Sequence, residues 1–157
     1  MVAYLGLGSN LGDRPAEIAR AIQALATLGR VAASSAVYET HPEGGVRQPK
    51  YLNAAVRLET DLPARALLEA GLEIERSQGR VRPADAVKAP RTIDIDLLLY
   101  GVVVLKEPGL CVPHPSLLVR PFVRIPLADV ALPGLRHPES GEPLDRCDPD
   151  GSVRRWG

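Results

Sequence analysis

The chain has 157 residues, of which 45% are hydrophobic, and a formal net charge of zero. This length suits one domain over residues 1–157, with about 133–157 as a C-terminal tail wrapped on it. A neutral total argues against bulk polyanion binding. No apolar run approaches membrane-spanning length, and residues 2–7 lack the basic region of a signal peptide. The two cysteines have no metal-ligand spacing, which suits a reduced cytoplasmic protein.

Hydrophobic periodicity predicts alternating strands and helices in the first half of the chain. Residues 2–8 alternate as a strand and lead into a Gly-rich turn, after which Asp13 is expected to cap a helix that is stopped by Gly29. Residues 31–38 are predicted to form the second strand. Residues 39–49, which contain two glycines and two prolines, are predicted to be a long loop.

The second half repeats this order. Residues 51–59 are predicted to form a third strand with one open face, and Asp61 to cap a second helix that ends at Gly79. A loop over 80–90 precedes a fourth strand over 93–100, with a hairpin through Gly101 to residues 102–105. The order βαββαβ predicts an α+β, ferredoxin-like sandwich, in which an antiparallel sheet has helices on one face and an open active-site face.

The fourth strand contains the most informative motif, Ile93-Asp94-Ile95-Asp96-Leu97. Because side chains alternate along a strand, the two acids share one face, with their backbones about 6 to 7 Å apart. The apolar residues, up to and including Leu99, are expected on the opposite face. Two carboxylates so placed could bind one or two hard cations.

Basic residues accompany this acidic pair. Arg80, Arg82 and Arg91 lie just upstream of it. Carboxylates for a metal beside guanidinium groups for phosphate oxygens suit phosphoryl-type transfer, whose transition state is stabilised mainly by positioning and charge. The alternative is an exposed strand face whose acids pair with cross-strand arginines, and spacing alone favours neither.

Two further motifs bear on the chemistry of the chain. The glycines between Gly6 and Gly12 resemble a dinucleotide-binding loop, but the third is one place late, so a tight turn is predicted. Of the three histidines, His114 is the one that we expect to have a functional role. It sits in a rigid Pro-His-Pro corner, with Arg120 and Phe122 close behind it in the chain.

Several segments occur in a fixed order between residue 2 and about residue 132. They are Gly6-Leu7-Gly8-Ser9-Asn10-Leu11-Gly12-Asp13-Arg14, Tyr38-Glu39-Thr40, Gln48-Pro49-Lys50-Tyr51-Leu52-Asn53, Gly79-Arg80-Val81-Arg82, Pro90-Arg91-Thr92-Ile93-Asp94-Ile95-Asp96, Val112-Pro113-His114-Pro115 and Arg120-Pro121-Phe122-Val123. Together they resemble the 6-hydroxymethyl-7,8-dihydropterin pyrophosphokinase family of folate biosynthesis. The resemblance implies a ferredoxin-like fold, two Mg²⁺ ions, and transfer of pyrophosphate from ATP to the pterin hydroxymethyl group with release of AMP.

The resemblance also implies three groups of site residues. The catalytic group is Arg80, Arg82, Arg91, Asp94 and Asp96, of which the two acids would bind the metal. The nucleotide-binding group is Glu75, Arg82, Arg91, Leu97, His114 and Arg120. The pterin-binding group is Thr40, His41, Tyr51, Asn53, Asp94 and Phe122.

Within the pterin group, the resemblance implies that Tyr51 and Phe122 sandwich the ring and that Asn53 reads its hydrogen-bonding edge. The chain departs from the family in three places: the loop before Pro90, Cys111 with Pro115, and His41-Pro42-Glu43 in the pterin-side loop. Residues 83–90 contain no aromatic residue where members often carry a Trp, and Lys88 sits near that position.

The competing class is a binding module, because ferredoxin-like domains also bind RNA or small regulatory ligands. Single-strand RNA readers need exposed aromatic residues on the sheet, whereas this chain is 4% aromatic and places acids there. We therefore expect ATP and a reduced pterin as partners, with no nucleic acid and no membrane. A monomer is expected, with a homodimer as the alternative.

Overall fold

Alternating hydrophobic residues build one antiparallel sheet of six strands. The computed structural model describes residues 1–40, 50–79 and 92–157. The strands of this sheet are β1 (Val2–Ser9), β2 (Arg30–Ser34), β3 (Tyr38–Thr40), β4 (Tyr51–Glu59), β5 (Asp94–Tyr100) and β8 (Val153–Arg155). They lie in the order β5-β1-β4-β3-β8, and β2 also pairs with β4. Strands β6 (Leu105–Glu107) and β7 (Leu110–Val112) form a separate hairpin.

Two helices cover one face of this sheet. Helix α1 (Arg14–Leu25) begins after Asp13, whose carboxylate accepts a hydrogen bond from the Ala16 N–H at 3.3 Å, as predicted for an N-cap. Helix α2 is Ala64–Ser77. Apolar residues of both helices pack on the alternating residues of the strands, and this helix-side core includes Leu5, Leu7, Ile18, Leu25, Leu52, Val56, Leu67, Ile93, Ile95 and Leu97. The predicted ferredoxin-like α+β fold is confirmed.

The predicted strand over residues 31–38 is interrupted. Residues 30–34 and 38–40 form two separate strands, both paired with β4. The break lies at Ser35, whose hydroxyl accepts a hydrogen bond from the Ala55 N–H at 2.8 Å and so takes the place of a backbone carbonyl in the ladder. The next N–H, of Ala36, donates to the Asp129 carboxylate at 3.2 Å instead of to a strand.

Two predicted ends are also corrected. Asp61 does not cap α2, because the helix begins only after Pro63 and has no side-chain cap. A residue before proline is kept out of the helical region, so the helix cannot start at Leu62. The hairpin expected over residues 102–105 does not form. Instead Gly101 turns the chain at φ 56°, and its N–H donates to the Val2 carbonyl at 2.8 Å.

The regular alternation of β5 fails at Leu98. The pairing of β1 with β5 shifts register between Tyr4 and Leu5, so that Leu97 and Leu99 face consecutive residues of β1. This extra residue is a β-bulge, which reverses the side-chain parity beyond it. Leu99 therefore packs on the face opposite Leu97, contrary to the prediction that they share a face.

The second face of the sheet is partly covered by the C-terminal third of the chain. A third helix, α3 (Pro121–Val130), packs across β4 and β1 on this side. The chain beyond α3 contributes Leu144, and β8 pairs with β3 through Thr40 and Val153. The second core comprises Tyr4, Ala55, Leu98, Leu99, Leu117, Leu127, Val130 and Leu144.

Among the helices of the described residues, none has the length and apolar composition of a membrane span.

Candidate functional site

One row of paired residues crosses four strands of the sheet and includes two of the predicted site residues. Asp94 of β5 is paired with Gly8 of β1, Gly8 with Asn53 of β4, and Asn53 with Tyr38 of β3. Neighbouring strands lie about 4.8 Å apart, so Asp94 and Asn53 are about 10 Å apart at the backbone. Because Gly8 has no side chain, β1 places nothing between the two side chains, and we call this strip of the sheet surface the trough.

Asn53 and Thr40 form the polar wall on one side of this trough. Each is only 6% exposed, and the Asn53 Nδ2 donates to the Thr40 Oγ1 at 2.8 Å. The hydrogen bond fixes the orientation of the Asn53 amide, so that its Oδ1 faces the Gly8 side of the trough. Tyr51 is half-buried two residues before Asn53 on the same strand, with its ring edge also near Gly8.

Asp94 and Asp96 form the opposite, acidic wall. Both are half-buried, and both project opposite Ile93, Ile95 and Leu97, which lie in the helix-side core.

The backbone between the two acids is held from below by α2. Glu75 is 1% exposed, and its Oε2 accepts a hydrogen bond from the Ile95 N–H at 2.8 Å. This charge-assisted bond ties the helix to the strand segment that carries both acids.

His114 stands beside the edge of β5. Its backbone N–H donates to the Leu98 carbonyl at 2.9 Å, and its ring Nδ1 accepts from the Ser116 backbone N–H at 3.1 Å. Burial, followed by the nearby Arg120 guanidinium, lowers the pKa of His114 below its ordinary 6.5, against an opposing effect of Asp94. A neutral imidazole whose Nδ1 accepts a bond carries its proton on Nε2, so His114 can donate to a ligand.

The start of α3 adds a cation and an aromatic ring to the same region. Arg120 is the residue before the helix, and its guanidinium lies 5.6 Å from the centroid of the Phe122 ring. This cation–π contact holds both side chains together. Because Arg120 and Asp94 both act on the pKa of His114, the three charged or titratable groups share one neighbourhood.

Of the predicted residues, the structure places Asp94 and Asp96 across Gly8 from Asn53 and Thr40, and it places His114 with Arg120 near Asp94. The predicted roles of His41, Arg80, Arg82 and Arg91 lie outside the described residues. The side chain of Leu97 is 5% exposed and packs in the helix-side core. Only its backbone could contact a nucleotide.

Sequence reasoning missed two residues of this region. Gly8 is predicted as the last residue of the first strand and the start of a turn, with no role in the site, whereas it lies between the two walls of the trough. Arg14 had no predicted role, yet its guanidinium contacts both β3 and the start of β4. A glycine inside an otherwise apolar strand was the available signal for the first, because it marks a close approach of ligand or backbone.

The donor set of the acidic wall fits a hard cation. Among the described residues, no group of three or more His, Cys, Asp or Glu side chains could hold a metal. Two carboxylates are nevertheless what Mg²⁺ uses when water and phosphate oxygens complete its shell. The pair therefore fits a Mg²⁺ ion that arrives with a nucleotide.

Known proteins resemble the chain over nearly its full length. Two bacterial proteins named 2-amino-4-hydroxy-6-hydroxymethyldihydropteridine pyrophosphokinase are similar to it. That of Methylorubrum extorquens is 44% identical over 155 residues, which covers 97% of each chain. That of Pseudomonas aeruginosa is 43% identical over 159 residues, which covers 98% of this chain and 96% of the relative.

Solved structures show the same fold. The wild-type HPPK-DHPS of Plasmodium falciparum superposes with a TM-score of 0.67 at 14% identity. The match covers 92% of this chain and 43% of that longer chain. The family model for 7,8-dihydro-6-hydroxymethylpterin-pyrophosphokinase (HPPK) matches residues 4–132. The chain therefore belongs to the 7,8-dihydro-6-hydroxymethylpterin-pyrophosphokinase family.

Proposed function

We propose that this protein transfers pyrophosphate from ATP to the hydroxymethyl group of 6-hydroxymethyl-7,8-dihydropterin and releases AMP, a step of folate biosynthesis. Family membership supports the reaction. The observation that carries it is the trough, in which Gly8 separates the acidic wall of Asp94 from the polar wall of Asn53. The acidic wall suits a metal-bound triphosphate, and the polar wall suits the hydrogen-bonding edge of a flat heterocycle.

The chemical step is a displacement at the β-phosphorus of ATP. The pterin hydroxyl oxygen forms a new bond to that phosphorus and loses its proton, while the bond from the phosphorus to the α,β-bridging oxygen breaks. AMP leaves with the bonding electrons. Such a reaction depends mainly on alignment and on charge neutralisation, so the residues need to position two substrates rather than supply a nucleophile.

Asp94 and Asp96 would hold Mg²⁺, and we propose two ions. The bound metal supplies charge neutralisation to the triphosphate and orients its oxygens. Asp94 lies in the same row as Asn53, so it is the acid closer to the polar wall. It would therefore also position the substrate hydroxyl. Glu75 keeps this strand segment in place through the Ile95 N–H.

The nucleotide would lie on the His114 side of the acids. His114 would donate from Nε2 and Arg120 would contact phosphate oxygens, both being charge-compatible with a polyanion. Glu75 would act on the nucleotide side through the strand segment that it holds, and the backbone of Leu97 would complete that side. Arg80, Arg82 and Arg91 would neutralise charge that develops on the transferred group.

The pterin would lie in the trough. Tyr51 and Phe122 would stack on its two faces, because aromatic rings bind flat heterocycles through offset stacking. The Asn53 amide would bond the ring edge, Thr40 would hold that amide, and His41 would complete the pocket. We further propose that residues 1–157 act as a single cytoplasmic domain, as a monomer, with a homodimer as the alternative.

The test is a turnover assay with the purified chain. Incubation with ATP, Mg²⁺ and the reduced pterin should release AMP and pterin pyrophosphate in equal amounts, separated by ion-exchange chromatography. Omitting the pterin should leave ATP intact, which excludes simple ATP hydrolysis. Release of ADP, or no product at all, would refute the proposal.

The metal is tested separately. EDTA should abolish turnover, and Mg²⁺ titrated back should restore it. A plot of rate against free Mg²⁺ that rises with an order above one would support two ions, whereas a first-order rise would support a single ion. Turnover that persists in EDTA would show that Asp94 and Asp96 have another role.

A further inference from the structure

A basic side chain outside the proposed substrate contacts joins three elements next to the trough. Arg14 is the first residue of α1. Its Nη1 donates to the Lys50 carbonyl at 2.8 Å and to the Glu39 Oε2 at 3.3 Å. The other carboxylate oxygen of Glu39 lies 3.8 Å from the Lys50 ammonium. One guanidinium therefore links the helix to β3 and to the residue that precedes β4.

The two partners of Arg14 adjoin the proposed pterin residues. Glu39 precedes Thr40, and Lys50 precedes Tyr51. Thr40 and Tyr51 are paired across β3 and β4, and Thr40 also accepts the hydrogen bond of Asn53. The position of Arg14 is thus transmitted to the residues that we place around the ring, although Arg14 itself has no predicted contact with substrate.

Helix stability does not account for an arginine at this place. A cation at the first residue of a helix opposes the macrodipole, which favours acids there. The side chain is 25% exposed, as is that of Glu39, and a guanidinium serves a carboxylate and a carbonyl together because its donors are fixed in one plane. The favourable contacts of Arg14 are those with the two strands.

We propose that Arg14 is a positioning residue of the pterin subsite, which sets the separation of Thr40 and Tyr51 by holding Glu39 and Lys50. The inference rests on the proposed function. It adds that the start of α1 determines pterin affinity without taking part in nucleotide binding.

The test compares Arg14→Ala with a chemically matched control, Arg65→Ala. Arg65 also joins a carboxylate and a carbonyl, those of Glu107 and Pro108, each at 3.2 Å, but at the tip of the β6–β7 hairpin. Arg14→Ala should raise the pterin KM about fivefold to tenfold, with the ATP dissociation constant unchanged. Arg65→Ala should leave the pterin KM unchanged.

Thermal unfolding separates positioning from a loss of structure. The melting temperature of Arg14→Ala should stay close to that of the parent, because a helix dipole penalty is removed together with the contacts. Arg14→Lys should recover only part of the pterin affinity, since an ammonium cannot hold two acceptors in one plane.

Three results would overturn the inference. These are an unchanged pterin KM in Arg14→Ala, an equal loss of pterin and ATP affinity, or the same pterin defect in Arg65→Ala. An inactive parent protein would instead refute the proposed pyrophosphokinase activity, so the two failures are distinguishable.

Discussion

Gly8 offers a sharp test of the trough, because adding one methyl group there disturbs a single named contact. An ideal Cβ at Gly8 lies 3.3 Å from the Asn53 Oδ1 and 3.6 Å from the Tyr51 Cδ1. The first distance is shorter than ordinary van der Waals contact, so the amide must move by a few tenths of an ångström. Its other end is held at 2.8 Å by Thr40 and cannot follow freely.

The expected cost can be worked out from that geometry. Weakening one buried hydrogen bond costs about 1 kcal/mol, which corresponds to about a fivefold loss of affinity. Gly8→Ala should therefore raise the pterin dissociation constant about fivefold and leave ATP affinity unchanged. Folding should not suffer, because Gly→Ala in an allowed conformation stabilises by about 0.4 to 1 kcal/mol through the unfolded chain, and this offsets the strain.

Gly6 on the same strand and face is the matched control. Its ideal Cβ would lie 3.5 Å from the Leu98 Cδ1, an ordinary contact beneath a core side chain. Gly6→Ala should raise the melting temperature and leave pterin binding unchanged. Isothermal titration with pterin, in the presence of a non-hydrolysable ATP analogue, measures the difference. Equal pterin affinities in the two variants would refute the assignment of the trough.

Three further perturbations act on other parts of the site. Asp96→Ala should lower turnover by about two orders of magnitude or more and weaken Mg²⁺-dependent ATP binding, measured by titration with and without metal. Burial, then the hydrogen bond to Asp129, raises the pKa of Tyr38 from 10.0 to about 12. Between pH 10 and 12 the native state keeps this proton whereas the unfolded chain loses it, so the free energy of unfolding should fall as pH rises. In urea titrations, Tyr38→Phe should remove this pH dependence. The lowered pKa of His114 has the opposite consequence. Its contribution to stability should be complete above pH 6.5 and be lost as pH falls below that value, and His114→Gln should flatten this part of the profile.

The helix-side half of the fold was predictable from local pattern. Leu52, Val56 and Ile95 repeat with the period of a strand, and Asp13 with Pro15 marks a helix start, because these signals depend on neighbours in the chain. The acidic pair could be placed on the opposite face by the same rule. What that face binds could be proposed only from the resemblance of several ordered segments.

The other half depends on contacts between distant residues. The break after β2 requires Asp129, which is 93 positions from Ala36 and accepts its N–H. The bulge at Leu98 depends on the pairing of β5 with β1, and alternation within β5 alone predicts the wrong face for Leu99. Helix α3 was not predicted, because Pro121 and Pro126 hide a helix whose apolar residues are ordered by the sheet beneath it.

The partial cover of the second face follows from a gradient along the strands. On β1 the side chains of this face run from Tyr4 through Gly6 to Gly8, that is, from a large buried ring to none. A helix gains most from packing on the end that offers apolar surface, and α3 lies there. Its C-terminal carbonyl, of Val130, accepts from the Arg57 Nη1 at 2.6 Å, which suits the negative end of a helix.

This placement fixes the opposite end of the same helix. The start of the same helix carries Arg120 and Phe122, whose backbone position follows from this packing. The residue pair that we assign to the pterin face and the phosphates is therefore positioned by packing more than a helix turn away. A core substitution such as Leu127→Ala, in the buried middle of α3, should consequently weaken substrate binding as well as stability, because it loosens the element that carries both groups.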